Sequence, residues 1–204
     1  MKTLKEYFEK AKEEKWAIGH FNFSTADQLK AIVEAAQELN SPVMVATSEG
    51  EADFVGRDQA VALVKSYQAE GLSVFLNADH HKTVESAKEA VDAGYDTVLI
   101  DTSKMPYEEN IAVTKEVVEY AKTIGAGMMI EGELGYLKGE SQVQESVEIS
   151  PADYTKPEEA KNFVEQTGVD RLAIVFGNIH GIVTKQEEKL DMSVLQSVAA
   201  AVPN

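Results

Sequence analysis

Leu72-Ser73-Val74-Phe75-Leu76-Asn77-Ala78-Asp79-His80-His81 is the stretch whose reading decides the fold. It begins as an apolar run and closes on one carboxylate and two imidazoles. The run reads as a buried strand, and a helical pattern starts near Thr83. An apolar strand that turns polar just before a helix fits a parallel α/β sheet, where chemistry gathers at the carboxyl ends of the strands. The competing reading makes Asp79 a turn residue or helix cap and the histidines polar filler.

The same sentence repeats on both sides. Leu4, Tyr7, Phe8 and Ala11 recur at helical spacing and predict a lead-in helix over residues 3–14. Residues 17–23 read as a strand, and Ser24 or Thr25 caps a helix whose buried stripe is Leu29, Ile32, Val33, Ala36 and Leu39. Asn40-Ser41-Pro42 stops that helix. Strands follow at 43–46, at 75–78, at 97–100, from 128 and at 171–176, with helices at 57–70, 83–93, 107–124, from Pro157 and at 191–201. The stretch from about Gly135 to Thr155 is polar and reads as a long loop.

Strands alternating with helices at this spacing predict a parallel sheet in an α/β fold. A doubly wound sheet would carry a Gly-x-Gly-x-x-Gly loop after its first strand. Here Asn22-Phe23-Ser24-Thr25-Ala26 follows instead, which favours a barrel. The expectation is a TIM (β/α)8 barrel with about six of its eight β/α units in this chain. It is read as a single barrel domain over residues 1–204, truncated before strand seven.

Composition narrows the function. The 204 residues carry a formal net charge of −16, which argues against nucleic acid and against an anionic membrane as partners. A small phosphorylated ligand needs only a few local donors and stays possible. There is no cysteine, so any transition-metal site must be built from His, Asp and Glu. The N-terminus is a charged amphipathic pattern and not a signal peptide, and no apolar run approaches the roughly 18 residues of a membrane span. A cytoplasmic location is expected.

The polar residues fall at the ends of the predicted strands: Asn22; Thr47, Ser48 and Glu49; Asp79, His80 and His81; Asp101, Thr102 and Ser103; Glu131 and Glu133; Asn178 and His180. Turn chemistry alone does not account for six consecutive strands ending this way. His80 and His180, with Glu133, are the candidates for a divalent metal, since imidazole and carboxylate suit Zn²⁺. His20 inside an apolar strand reads as a hydrogen-bonded core histidine, His81 as a residue flanking the site, and Trp16 and Met128-Met129 as core.

Five motifs occur in order: Asn77-Ala78-Asp79-His80-His81; Ile100-Asp101-Thr102-Ser103 with Pro106 and Glu109-Asn110; Glu131-Gly132-Glu133-Leu134-Gly135; Thr167-Gly168-Val169-Asp170; and Gly177-Asn178-Ile179-His180-Gly181. Together with Gly19-His20-Phe21-Asn22-Phe23 they resemble the class II, metal-dependent fructose-bisphosphate and tagatose-bisphosphate aldolases over nearly the whole chain. The resemblance implies a TIM barrel, usually a homodimer or homotetramer, acting in carbohydrate metabolism. It implies zinc-dependent, reversible cleavage of a ketose 1,6-bisphosphate, fructose or tagatose, to dihydroxyacetone phosphate and glyceraldehyde 3-phosphate. By position it implies Asp79 as the acid/base on the C4 hydroxyl, His80 and His180 as zinc ligands, and Glu133 beside the metal. Asn22 and Ser48 match substrate-contacting positions, and Gly181 a glycine near a phosphate and a monovalent cation.

The resemblance has departures. The family's third zinc histidine belongs to a His-Gly-Gly-Ser-Gly type segment on the seventh strand, which this sequence does not contain. The expectation for this form is weak zinc binding and little or no activity. In the loop after strand five, Lys138-Gly139-Glu140-Ser141-Gln142 stands where the family has a Gly-Gly pair. Glu140 matches the second acid/base, with Glu145 and Glu148 as further candidates, and Lys138 is a candidate phosphate contact. Two other readings stay open: another metal-dependent TIM-barrel lyase or hydrolase on a sugar phosphate, and a catalytically silent barrel fragment acting as a binding or assembly module.

Overall fold

The computed structural model describes residues 2–125, 127–135, 137–187 and 189–202, with the side chains of Glu140 and Ser141 outside the described set. The elements run α1 (Leu4–Glu14), β1 (Gly19–Asn22), α2 (Ala26–Glu38), β2 (Val43–Ser48), α3 (Glu49–Val55), α4 (Arg57–Ala69), β3 (Val74–His81), α5 (Val84–Ala93), β4 (Thr97–Ile100), α6 (Tyr107–Ile124), β5 (Met129–Leu134), β6 (Gly139–Gln144), α7 (Pro157–Thr167), β7 (Arg171–Ile174), β8 (His180–Val183) and α8 (Met192–Ala201). The six predicted strands form one parallel sheet in the order β1-β2-β3-β4-β5-β7, and β6 and β8 form a second, two-stranded sheet. The α/β expectation is met. The chain divides into two compact units, Met1–Ile100 with Glu119–Ile130, and Asp101–Val118 with Glu131–Asn204.

In the first unit, strand register sorts the side chains into layers. His20 pairs with Met44 and Met44 with Phe75; Asn22 pairs with Ala46 and Ala46 with Asn77; Ser48 pairs with Asp79. Since side chains alternate along a strand, these residues share one face. The foot of that face is apolar. Met44, Phe75 and Met129 are buried there with Leu4 of α1, and Tyr7, Phe8 and Ile18 pack against them. Burial of each large side chain contributes about 1.5–3 kcal/mol. The top of the same face is polar, holding Asn22, Asn77, Ser48 and Asp79. The opposite face, Val43, Val45, Val74, Leu76 and Ala78, is buried throughout.

The helices begin where the sequence says. Thr3 closes a capping box with Glu6, Thr25 caps α2, and Thr83 caps α5. Asp79 therefore caps nothing; it lies within β3. Three expectations are corrected. His20 is exposed, although it does bond Asn77 (Nε2 to Nδ2, 3.1 Å), because among the described residues β1 pairs with β2 alone, at the edge of the sheet. Trp16 is half-buried and donates to Glu14. Leu39 is 77% exposed, since it falls beyond the last turn of α2 as its C-cap.

In the second unit, Glu131–Leu134 of β5 pair in parallel with Arg171–Ile174 of β7, and the Arg171 guanidinium closes on Glu131 at 2.7 Å. The region read as one long loop contains β6, which pairs in parallel with β8. Polar residues form a strand here because Gly139, at φ +113°, lets the backbones approach. A Cβ at Gly139 would lie 2.2 Å from the His180 carbonyl oxygen.

Asp96 completes the start of β4. Its carboxylate accepts from the Leu76 N–H at 2.7 Å and from Gln68 Nε2 at 3.0 Å, and Gln68 also donates to the Val74 carbonyl. Desolvation raises its pKa, against the lowering effect of those two donors. A carboxylate whose folded-state pKa is raised contributes stability that is full below the unfolded value and lost as pH rises through the folded one. Asp96→Asn keeps an acceptor for both donors and removes the charge. Its stability relative to the parent is expected to increase as pH rises from 3 to 7, and at pH 7 to equal or exceed the parent's. Paired urea melts at several pH values check this; a variant that loses ground with rising pH contradicts it.

Candidate active site

In the first unit, the site is built at the end of β3 and depends on one extra residue. Ala78 pairs with Val98 and His81 with Ile100, so β3 spends three residues where β4 spends two. This is a β-bulge. His80 takes up the excess at φ +50°, in the left-handed region. A regular strand would send Asp79 and His80 to opposite faces. Here His80 Nε2 lies 3.9 Å from Asp79 Oδ1, so both head groups share one side.

The other Asp79 oxygen is anchored. Asn22 Nδ2 donates to Asp79 Oδ2 at 3.0 Å and to Glu51 Oε2 at 2.9 Å. Glu51 also accepts from the Ser48 N–H at 2.7 Å, and the Ser48 hydroxyl caps α3 by accepting from the Glu51 N–H. Asn22, Ser48 and Asp79, three residues singled out from the sequence, thus form one hydrogen-bonded cluster. Glu51 and the seven-residue α3 that carries it were not foreseen. The signal was available: Ser48-x-x-Glu51 is a capping box directly after a strand.

Beyond the bulge, His81 returns to the opposite face and is fully buried. Its Nδ1 lies 3.2 Å from Ser86 Oγ, and Ser86 Oγ donates to Glu49 Oε1 at 2.6 Å. A carboxylate only accepts, so the serine proton goes to Glu49 and Ser86 accepts from His81 Nδ1–H. His81 Nε2 is then a buried acceptor without a partner among the described residues. Desolvation depresses the His81 pKa, against the raising influence of Glu49, and keeps the ring neutral.

In the second unit, ligand oxygens of Asp101 and Glu133 lie within 4.8 Å of each other. Glu133 is 4% exposed. Ser103 Oγ contacts both, at 2.7 Å to Asp101 Oδ1 and 3.3 Å to Glu133 Oε1. Behind them is a buried polar network. Thr102 and Thr114 hydroxyls donate to Asn110 Oδ1 at 2.7 and 3.1 Å, and Asn110 Nδ2 donates to the Glu133 carbonyl at 2.9 Å. His180 opens β8: its N–H donates to the Lys138 carbonyl at 3.0 Å, and its carbonyl accepts from Gln144 Nε2 at 3.0 Å. Gly181, next in β8, is exposed at φ +86°. Asn178 bonds the Phe176 N–H and the Ile174 carbonyl, a turn role. Lys138 closes on Asp153 at 2.9 Å, and Lys185 on Glu145 at 2.7 Å.

The class-II fructose-bisphosphate aldolase family model matches residues 2–204. The chain belongs to the class II fructose-bisphosphate aldolase family. A fructose-bisphosphate aldolase of Staphylococcus aureus (strain Mu50) is 37% identical over 200 residues, covering 96% of this chain and 68% of its own length. One from Helicobacter pylori is 40% identical over 194 residues, covering 93% and 62%. The crystal structure of the YdjI aldolase from Escherichia coli K12 superposes with a TM-score of 0.83 at 31% identity, covering 99% of this chain and 70% of that one. These relatives carry the name of an aldolase, a lyase, and the fold expectation of a TIM-barrel family is met. Among the described residues, no helix is long and apolar enough to cross a membrane.

Within this family setting the sequence reading missed Asp101 as a candidate metal donor, because an Asp-Thr-Ser run after a strand also reads as a turn. The Glu140 side chain lies outside the described residues. The support under Glu133 can be tested. Asn110→Ala leaves two buried hydroxyls and the Glu133 carbonyl without their partner, and each buried unsatisfied group costs about 1–3 kcal/mol. The midpoint of urea unfolding is expected to fall accordingly; an unchanged midpoint would show that the network relaxes freely.

Proposed function

We propose that this chain carries a divalent-metal aldolase site for the reversible cleavage of the C3–C4 bond of a ketose 1,6-bisphosphate, fructose or tagatose. The products are dihydroxyacetone phosphate and glyceraldehyde 3-phosphate. The observation that carries the reading is the end of β3, where a bulge brings the Asp79 carboxylate and the His80 imidazole together while Asn22 fixes the carboxylate. Family membership supports the reaction class.

The residues that would hold the metal are His80, His180 and Glu133, and Asp101 joins them as a further donor. The donor chemistry fits. Carboxylate and imidazole suit Zn²⁺ or a similar divalent ion, and two carboxylates within 4.8 Å of each other gain from a cation between them. Bound there, the ion supplies Lewis-acid stabilisation of the charge that develops on the ketone side as the bond breaks.

The protein residues handle the protons and the fit. Asp79 accepts the proton of the C4 hydroxyl through one carboxylate oxygen while Asn22 holds the other in place. In the reverse direction it returns that proton. Glu140 is assigned to protonate the carbon left by the cleavage. Asn22, Ser48 and Gly181 contact the substrate, with Gly181 near a phosphate and a monovalent cation. A cytoplasmic location and a homodimeric or homotetrameric state complete the reading, as the family resemblance implies.

The test is cleavage of fructose and tagatose 1,6-bisphosphate, with and without chelator, by a form that also carries the family's His-Gly-Gly-Ser-Gly type segment, since the 204-residue form is expected to show little or no activity. Cleavage is expected to vanish on chelation, to return with Zn²⁺, and to fall about 10²–10⁴-fold in Asp79→Ala, the usual contribution of a positioned acid/base. Chelator-resistant turnover overturns the metal reading. Undiminished turnover in Asp79→Ala overturns the proton-transfer assignment.

A further inference from the structure

The proposed chemistry uses Asp79 and His80 and leaves His81 without a task. Yet His81 is fully buried, a polar ring in a layer otherwise made of Val74, Leu76 and Ala78. Burying an imidazole where an aliphatic side chain would pack calls for a reason.

Its position supplies one. The bulge ends at His81, where β3 rejoins β4 opposite Ile100. The residue just before it, His80, sits in a left-handed conformation that residues without a glycine's freedom rarely adopt. Something must hold the strand on the far side of the excess residue. Among the described residues, the His81 ring bonds through Nδ1 to Ser86, on the first turn of α5. Ser86 is in turn fixed by Glu49, the first residue of α3, and Glu49 also accepts from the Lys82 N–H. Two helices thus grip the chain at His81 and Lys82, directly after the bulge.

We propose that His81 is a positioning residue. Through Ser86 and Glu49 it pins the end of β3 to the helix layer, and so holds His80 in the left-handed conformation that sets its ring beside Asp79. The metal part of this proposal rests on the reading above; the backbone part does not. The distinction between the two adjacent histidines then has a physical basis: one is displaced by the bulge toward the site, and the other is the anchor that keeps the displacement in place.

The experiment uses four variants of the chain and two readouts. His81→Ala removes the anchor. Ser86→Ala breaks the same link without emptying the His81 position. His81→Asn can still donate to Ser86 from near the Nδ1 position. Val91→Ala truncates a buried side chain of α5 outside the network and serves as the control for lost packing. The first readout is the backbone NMR shifts of residues 79–82 in the metal-free protein, which report the positive φ at residue 80. The second is Zn²⁺ affinity by competition with a chromogenic chelator. His81→Ala and Ser86→Ala are expected to lose the positive-φ signature and to bind Zn²⁺ about 10–100-fold more weakly, as for loss of supporting contacts around metal ligands. His81→Asn is expected to restore both, and Val91→Ala to change neither. A positive φ that survives in both His81→Ala and Ser86→Ala overturns the proposal, as does a Val91→Ala loss of Zn²⁺ equal to theirs. A parent chain that binds no Zn²⁺ instead overturns the metal reading, and the NMR readout still decides the role of His81.

Discussion

The structure depends on a single inserted residue. A β-strand alternates its side chains, so adjacent residues cannot serve the same face. The β3 bulge suspends that rule once, at His80, and the strand resumes its alternation at His81. A left-handed non-glycine residue costs about 1–3 kcal/mol and persists only where its surroundings over-determine it. The surroundings here are specific: Asn22 bonds Asp79 on one side of His80, and Ser86 with Glu49 holds His81 on the other. The strain and the juxtaposition of carboxylate and imidazole are one feature.

The same face of the first unit serves two purposes along its length. At the foot, Met44 and Phe75 are sealed by α1 and supply hydrophobic stability. Four residues further along β2 and β3, that face carries Ser48 and Asp79. The apolar foot makes the polar top affordable. It also explains why α1 belongs to the fold as more than a lead-in, since Leu4 and Tyr7 close the layer on which β2 and β3 rest.

Much of this was legible in the sequence, for identifiable reasons. Buried parallel strands read as continuous apolar runs, so Val43–Ala46 and Val74–Ala78 announced themselves. Thr25 and Thr83 marked helix starts because their hydroxyls satisfy free N–H groups. The bulge was not legible, since His80 is not a glycine and nothing in Asp-His-His signals a positive φ. The pairing of β6 with β8 was hidden because both strands are largely polar or exposed, and the stabilising factor is a close backbone approach at Gly139. His20 was misread as core because burial follows from having neighbours on both sides, and a strand's place in a sheet is not written in its own residues.

Under the proposed function, an acidic chain has to find the cations for a bisphosphate locally, and Lys138 is the candidate for such a contact. Lys138 is tied to Asp153 at 2.9 Å, and that contact is the foremost reason the Asp153 pKa is lowered. Asp153 also accepts from the Ser150 N–H at 2.8 Å and from its hydroxyl at 3.0 Å, closing a capping box on the short turn Pro151–Asp153. If Lys138 moves to a phosphate, Asp153 keeps two donors and stays solvated, so little is lost in leaving it. A partly exposed ion pair contributes little in any case. A phosphate dianion offers more charge to Lys138 than one carboxylate does. Lys138 also immediately precedes Gly139, and its carbonyl accepts from the His180 N–H. Under the proposed function, a phosphate drawing on Lys138 would therefore act on the same backbone that holds His180, which ties substrate capture to the placement of a metal ligand through one peptide unit.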